Sequence, residues 1–369
     1  MNTRWIPVAS PDIGEEEKRL VLRVLEEGWI SGVSPYVREF ERLFSSWLGV
    51  KYSIAVSSGT AALHLALLAL GVGPGDEVLV PDLTFAAPAN MVIAVGAKPV
   101  FVDVTRDYWC IDPDKLRKSI TPRARAVIVV HLYGHPAKMD EVMEVAEEHG
   151  LYVIEDCAEA HGAEFQGRKV CTFGHIGVFS FYANKVVTTG EGGMVVTNDG
   201  ELADRVRLMR DHGMRPRYWH VVLGFNYRMT GLQAALGIAQ LKKIDKLIER
   251  KREVAKLYEE ELSSVPGIEL HPEMPWAKCI YWLYSILVDP REFGTTRDKL
   301  AEHLARQGIE TRRFFYPLHT MPLYKRFTGK TYPVSEYLAS HGLNLPSGPR
   351  ISDEEVLAVV EAIKSARRG

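Results

Sequence analysis

The feature that most constrains the fold is an alternation of short apolar segments with helical segments across residues 52–160. The strand-like segments include YSIAV, DEVLVP, KPVFVDV and RAVIVV, and the helical ones include SSGTAALHLALLALG and AKMDEVMEVAEEHG. Apolar strands that alternate with helices are typical of a mainly parallel sheet covered by helices on both faces. Ligands of such sheets bind beyond the carboxyl ends of the strands, so the residues that follow each strand are candidates for a functional site.

The pattern changes after residue 199. A helical segment, a basic and aromatic loop (MRPRYWHVVLGFNYRMT) and a long helix over about 232–264 precede a further strand and two helices. A chain of 369 residues is long for one compact domain. We therefore predict an α/β protein with a large domain over residues 1–249 and a smaller α/β domain over residues 250–369. The helical segment of residues 13–48 could pack on the smaller domain.

Charge and cysteine content exclude several classes of protein. The net charge of −2 gives no basis for binding nucleic acid or an anionic membrane surface. The four cysteines include no CxxC pair, which argues against a zinc site or a disulfide framework and fits a reducing compartment. No apolar segment has signal-peptide character or the length of a membrane span. We expect a cytoplasmic protein.

Lys185 is the most informative single residue. It follows the strand-like run VFSFY (residues 178–182) and precedes the glycine-rich turn TTGEGG. Lysine is rarely buried without a partner. Its ammonium could reach solvent over the strand end, or Lys185 could be a nucleophilic amine.

Three other strand ends offer polar or aromatic groups. Ser58, Gly59 and Thr60 begin a helix, where free N–H groups favour a phosphate, although an ordinary helix cap is the alternative. Asp156 ends a strand and could bind a metal, act as a base, form an ion pair or face a cationic ring nitrogen. No HExxH spacing supports a metal. Phe85 follows a strand and could pack internally or stack on a planar ligand.

Taken together, these groups are the ones that pyridoxal phosphate (PLP) requires. A helix N-terminus holds the phosphate, an aromatic ring covers the pyridine, an aspartate keeps the pyridine nitrogen protonated, and a lysine forms a Schiff base. Each of these groups is a weak signal alone. Because all of them follow strand ends, their combination is a much more specific indication of a PLP site.

Several longer motifs resemble the DegT/DnrJ/EryC1/StrS family of nucleotide-sugar aminotransferases. They cover nearly the whole chain: SSGTAALHLAL, GDEVLVPDLTFAAPAN, HLYGHPAKMD, VIEDCAEAHGAEFQGRKV, FSFYANKVVTTGEGGMVVTN and GFNYRMTGLQAALGIAQL. The resemblance implies the type I aminotransferase fold, PLP as cofactor, and a homodimer whose active sites are built from both chains.

The resemblance also implies residue roles. The catalytic residues would be Lys185 and Asp156. The cofactor would be bound by Ser58, Gly59, Thr60, Phe85, Asp156, Glu159, Ser180, Lys185 and Asn226, of which Asn226 would reach the neighbouring subunit's phosphate. The substrate would be bound by Arg228, Arg313, Tyr316 and His319. No metal is implied.

One branch of the family is especially similar in EDCAEAHGAEFQG, RYWHVVLGFNYRMT and TRRFFYPLHTMPLY. That branch transfers an amino group from L-glutamate to C4 of a GDP-linked 4-keto-6-deoxy sugar, and Glu159 is typical of it. It often has Arg-Pro where this chain has Arg312-Arg313, and the extra cation could favour another sugar nucleotide. The alternatives are an aminotransferase for UDP- or dTDP-linked sugars, a sugar 3-dehydratase, which Lys185 disfavours, and a PLP-binding regulatory protein.

Overall fold

A computed structural model of the chain describes residues 5–367. The helices are α1 (Glu15–Glu27), α2 (Pro35–Leu48), α3 (Gly59–Ala69), α4 (Ala87–Ala94), α5 (Pro113–Ser119), α6 (Met139–His149), α7 (Gly200–Arg210), α8 (Gly231–Leu241), α9 (Ile244–Leu262), α10 (Pro290–Phe293), α11 (Arg297–Arg306), α12 (Pro333–His341) and α13 (Asp353–Ala366). The strands are β1 (Tyr52–Val56), β2 (Glu77–Pro81), β3 (Lys98–Val102), β4 (Ala124–Val130), β5 (Tyr152–Asp156), β6 (Glu164–Phe165), β7 (Arg168–Lys169), β8 (Ile176–Ser180), β9 (Gly193–Thr197), β10 (Ile268–Glu269), β11 (Ala277–Lys278), β12 (Ser285–Val288), β13 (Arg312–Arg313) and β14 (Gly342–Asn344).

The central sheet has seven strands in the order β1-β9-β8-β5-β4-β2-β3. Strands β3, β2, β4, β5 and β8 pair in parallel, whereas β9 is antiparallel to both β8 and β1. The predicted α/β class with a mainly parallel sheet is confirmed. Because β1 runs in the same direction as β8, both strands end at the same edge as β5.

Burial explains why the strands and helices around the central sheet are rich in apolar residues. Every residue of β2 and β9 is buried, and helix α3 is buried along most of its length. A sheet with helices on both faces leaves neither face in water, so its strands lack the alternation of half-exposed strands.

The N-terminal segment 13–48 forms two helices. Helix α1 ends at Gly28, whose φ of 74° is the left-handed conformation that glycine adopts easily. Both helices pack against α8, and α2 also contacts β1. Ile6, ahead of them, pairs with Ile309 near the second sheet.

The second sheet is antiparallel, with the order β10-β12-β14-β13. Helices α9 and α11 pack on α13 beside it. The single long helix predicted over 232–264 is in fact two helices, α8 and α9, separated at residues 242–243. The proposed domain boundary at residue 249 falls within α9 and stays a prediction.

Within residues 5–367, no helix combines the length and the hydropathy that a membrane span needs. Cys110, Cys157, Cys171 and Cys279 are all buried free thiols.

Candidate active site

A cavity of about 450 Å³ lies at the sheet edge where β1, β5 and β8 end. Eight of the residues predicted to form the site line it: Ser58, Gly59, Thr60, Phe85, Asp156, Glu159, Ser180 and Lys185. The parallel arrangement brings them together, because strand ends that are far apart in sequence meet at one edge.

The start of α3 forms one wall of this cavity. The Ser58 side chain accepts a hydrogen bond from the Ala61 N–H (3.1 Å), so Ser58 does cap the helix. The first-turn N–H groups of a helix have no intrahelical acceptor and suit an anion. A Cβ on Gly59 would lie 2.8 Å from the Ser180 Cβ. A Cβ on Gly193 would lie 2.5 Å from the Ser58 carbonyl group. These contacts leave no room for side chains at the two glycines.

Asp156 lies at the buried end of β5. One of its carboxylate oxygens accepts a hydrogen bond from the Ala158 N–H at 3.0 Å. Burial raises the pKa of Asp156, while the Ala158 N–H and the Lys185 charge act in the opposite direction. A cationic partner in the cavity would stabilise the ionised form further, as a protonated pyridine nitrogen does.

Lys185 lies beyond the end of β8, and its side chain is only 10% exposed. It is therefore not a lysine whose ammonium lies in open solvent at a strand end. Its Nζ is 3.6 Å from the Glu159 Oε1. Burial lowers the pKa of Lys185, and the Glu159 and Asp156 carboxylates oppose that shift. Burial also raises the pKa of Glu159 to about 7, which the Lys185 charge partly offsets.

A hydrogen-bonded network around Glu155 stabilises the end of β5. The Glu155 carboxylate accepts three backbone N–H groups from residues 171–174. His131 accepts the Ala137 N–H on Nδ1, so its Nε2 donates to Glu155 at 3.2 Å. Ligand atoms of His131, Glu155 and Cys157 lie within 4.8 Å of one another, a spacing that a metal ion could use. The histidine and carboxylate groups are already engaged in these hydrogen bonds, and the network holds the adjacent aspartate in place.

Five predicted site residues do not line this cavity. Asn226 is exposed, and the Arg228 guanidinium pairs with the Asp211 carboxylate. Tyr316 is 59% exposed. Both Asn226 and Arg228 were predicted to serve a neighbouring subunit, and that role stays a prediction.

His319 and Arg313 have local partners instead. The His319 Nδ1 is 2.7 Å from the Asp82 carboxylate, and its Nε2 is 3.2 Å from Glu336. This side chain links the end of β2 to α12 rather than facing the cavity. Arg313 points to Asp298, at 3.2 Å, and its neighbour Arg312 lines the cavity in its place. The substrate-binding role of Arg313 stays a prediction.

Other cavity residues were missed by the sequence analysis. They are Thr84, Tyr182, Asn184, Glu191, Trp282, Arg312 and Phe315, besides four apolar or small residues. Tyr182, Asn184 and Glu191 flank Lys185 in sequence, and that proximity could have indicated them. Trp282, Arg312 and Phe315 come from the C-terminal part of the chain, and no local pattern connects them to Lys185.

The fold and the cavity together define a PLP-dependent aminotransferase. The chain belongs to the DegT/DnrJ/EryC1/StrS aminotransferase family, whose sequence model matches residues 11–364. It is 45% identical to a GDP-perosamine synthase of Escherichia coli O157:H7 over 362 residues, or 98% of both chains.

Two solved structures extend the comparison. DesV of S. venezuelae, solved with a ketimine intermediate, superposes with a TM-score of 0.91 at 37% identity, covering 96% of this chain and 95% of DesV. The PLP form of Spr1654 from Streptococcus pneumoniae gives a TM-score of 0.93 at 28% identity, covering 99% of each chain. PLP is the cofactor of this enzyme, and the α3 N-terminus, Asp156 and Lys185 fit its phosphate, ring nitrogen and aldehyde.

Proposed function

We propose that this aminotransferase moves an amino group from L-glutamate to C4 of a 4-keto-6-deoxy sugar nucleotide. The preferred substrate would be GDP-4-keto-6-deoxy-D-mannose and the product GDP-perosamine. The observation that supports this substrate is the 45% identity to a GDP-perosamine synthase across 98% of both chains.

The cofactor and the protein side chains contribute different parts of the reaction. Bound PLP supplies a carbon to which amines add and a ring that accepts an electron pair from the substrate. The α3 N-terminus binds the phosphate group through its free N–H groups. Asp156 would hold the ring nitrogen with its carboxylate and would keep that nitrogen protonated.

Lys185 is the proton carrier in this proposal. With PLP bound, its neutral amine would take the proton from the Cα of glutamate, hold it as an ammonium and return it to the reacting group. In the second half of the cycle, Lys185 moves a proton to C4 of the sugar. Burial lowers the pKa of Lys185, which increases the fraction of neutral amine at a given pH. The nearby Glu159 carboxylate stabilises the ammonium that forms after each transfer.

Arg312 is a further cation in the cavity lining. A guanidinium binds carboxylates and phosphates in the same bidentate geometry. Arg312 therefore suits the glutamate carboxylate in the first half-reaction and an anionic group of the nucleotide in the second.

A homodimer would complete the site. The loop before α8 exposes Tyr218 (75%) and Leu223 (79%), and the α1–α2 connection exposes Val33 (70%). Large apolar side chains exposed together are typical of an interaction surface. Asn226 and Arg228 follow this loop, so a partner subunit that covered it could receive their amide and guanidinium groups at its own cofactor phosphate.

The test uses purified protein with bound PLP. L-Glutamate should convert the cofactor absorbance to that of the amino form in a single turnover. GDP-, UDP- and dTDP-linked 4-keto-6-deoxy sugars should then be compared by mass spectrometry of the amino-sugar product. The GDP-linked sugar should react fastest. Lys185→Ala should be inactive, whereas Lys169→Ala, a matched change at a lysine outside the cavity, should remain active. Faster turnover of a UDP- or dTDP-linked sugar would contradict the proposed substrate.

A further inference from the structure

The face of one tryptophan ring lies directly against the active-site lysine. The Lys185 Nζ is 3.6 Å from the centroid of the Trp282 ring, and Trp282 is 4% exposed. We propose that Trp282 is a positioning residue for Lys185, whose ammonium it holds over the indole face whenever that amine is not bonded to the cofactor. This inference rests on the proposed role of Lys185 as the proton carrier.

The indole is held firmly enough to act in this way. Its Nε1–H donates to the carbonyl oxygen of Asn184 at 2.9 Å, one residue before Lys185. Its own backbone N–H donates to the Tyr133 carbonyl oxygen at 3.0 Å. The Tyr133 ring is nearly parallel to the indole, with centroids 6.2 Å apart and planes 14° apart. The indole is therefore fixed by a hydrogen bond to the residue before Lys185, by its own backbone hydrogen bond to Tyr133 and by the nearly parallel Tyr133 ring.

Tyr133 also connects the indole to the carboxylate that faces Lys185. The Tyr133 backbone N–H donates to the Glu159 Oε2 at 2.9 Å, and the Glu159 Oε1 is 3.6 Å from the Lys185 Nζ. The amine thus lies between a fixed carboxylate and a fixed aromatic face. Together these two groups define one position for an ammonium near the end of β8.

The charged and titratable groups around Lys185 show why the ring face matters. Glu159 and Asp156 favour its ammonium form, whereas Arg312 and burial disfavour it. Burial lowers the pKa of His161 to about 3, so that ring is neutral near pH 7. An aromatic face attracts a cation, and the attraction is stronger where the pair is shielded from water. Trp282 can therefore offset part of the burial effect without adding a negative charge that would repel an anionic substrate.

A second lysine and tryptophan pair provides a control. The Lys169 Nζ lies 4.4 Å from the centroid of the Trp47 ring, away from the cavity lining. A change at Trp47 should affect Lys169 and leave Lys185 unchanged.

The experiment measures the pKa of the Lys185 amine in the full chain loaded with pyridoxamine phosphate, which leaves this lysine free. Acetic anhydride labelling at a series of pH values, read by peptide mass spectrometry, gives the pKa of each lysine. Trp282→Leu should lower the pKa of Lys185 by about one unit, a roughly tenfold change in its protonation equilibrium. Trp282→Phe keeps an aromatic face and should retain about half of the effect. Trp47→Leu should leave the pKa of Lys185 at its wild-type value.

A second measurement does not depend on how the Leu variant folds. Incorporation of 5-fluorotryptophan weakens the attraction of the ring face for cations with almost no change of shape. It should lower the pKa of Lys185 in the wild-type chain but not in Trp282→Phe. An unchanged pKa of Lys185 in fluorinated wild-type protein, or equal shifts in the Phe and Leu variants, would overturn the inference. Because no sugar nucleotide or glutamate is used, this result is independent of the proposed substrates.

Discussion

Burial changes the proton affinity of each charged residue at the cavity, and these shifts act together. The pKa values of Asp156 and Glu159 are raised and that of Lys185 is lowered. Each shift reduces the charge that is buried at the cavity, and a bound ring with a protonated nitrogen would stabilise the Asp156 carboxylate. Shifted pKa values of several residues at one cavity are typical of catalytic sites.

Asp156→Asn tests the most specific of these residue roles. The amide keeps the shape of the side chain but cannot stabilise a protonated ring nitrogen. The single-turnover reaction with L-glutamate should slow by roughly 10²-fold or more, with PLP still bound. Stopped-flow absorbance gives the rate, and circular dichroism checks the fold. A rate equal to that of wild type would assign the ring-nitrogen partner to another residue.

At the scale of secondary structure elements, the site depends on how closely β9 approaches the start of α3. A Cβ on Gly193 would lie 2.5 Å from the Ser58 carbonyl carbon and 2.7 Å from the Gly59 nitrogen. Those atoms are backbone, so they cannot rotate away as a flexible side chain could.

Gly193→Ala should therefore displace the α3 N-terminus and weaken PLP binding by at least about tenfold, with a loss of about 1–3 kcal/mol in unfolding free energy. Equilibrium dialysis with PLP and urea denaturation provide the two measurements. Gly73→Ala is the control, because the nearest atom to its Cβ would be the Val95 carbonyl oxygen at 3.9 Å. Undiminished PLP affinity in Gly193→Ala would show that the phosphate does not bind at this helix start.

A buried lysine connects helix α9 to the segments that flank strands β12 and β14. The Lys251 Nζ donates to the carbonyl oxygens of Trp282 and Ser347, each at 2.9 Å. Burial lowers the pKa of Lys251 to about 7, against about 10.4 in an unfolded chain. Between these two values the unfolded state binds more protons, so the contribution of Lys251 to stability rises with pH.

Comparison of wild type with Lys251→Met tests whether the contribution of Lys251 to stability rises with pH. The wild-type unfolding free energy, relative to the variant, should increase by more than about 1 kcal/mol as the pH rises from about 7 to about 10. Urea denaturation at several pH values gives the difference, and Lys118→Met controls for the loss of an exposed lysine. A difference that stays constant or falls over this window would mean that the pKa of Lys251 is not lowered in the folded state.

At the scale of the whole molecule, the question is whether two chains share their active sites. Lys185→Ala and the double variant Asn226→Ala, Arg228→Ala should each be inactive alone. If Asn226 and Arg228 serve the neighbouring site, a mixed dimer has one site with both lesions and one intact site. Activity should return to about a quarter of wild type after statistical mixing, because half of the dimers are mixed and each has one good site.

Subunit exchange must be verified independently, for example by native mass spectrometry of differently tagged chains. Recovery of activity would support shared sites. Inactivity despite verified exchange would mean that Asn226 and Arg228 act within their own chain or not at all.

The sequence alone determined the class of fold, and it predicted residues that the structure brings together at one cavity. Apolar strands alternating with helices predicted the parallel sheet, because such a sheet has no exposed face to impose polar residues on alternate positions. Lys185, Asp156 and the start of α3 were predictable because parallel strands carry their functional groups at one edge.

Only the tertiary structure decided which residues from the C-terminal part of the chain reach that edge. Trp282 and Arg312 come from segments of irregular or very short structure, where a shift of one position reverses the direction of a side chain. The choice between Arg312 and Arg313 was of this kind, because adjacent residues of β13 point to opposite sides. The sequence also did not predict the break between α8 and α9. The apolar pattern continues across this break, although the helical backbone is interrupted there. Long-range packing fixes these features, and no local pattern encodes them.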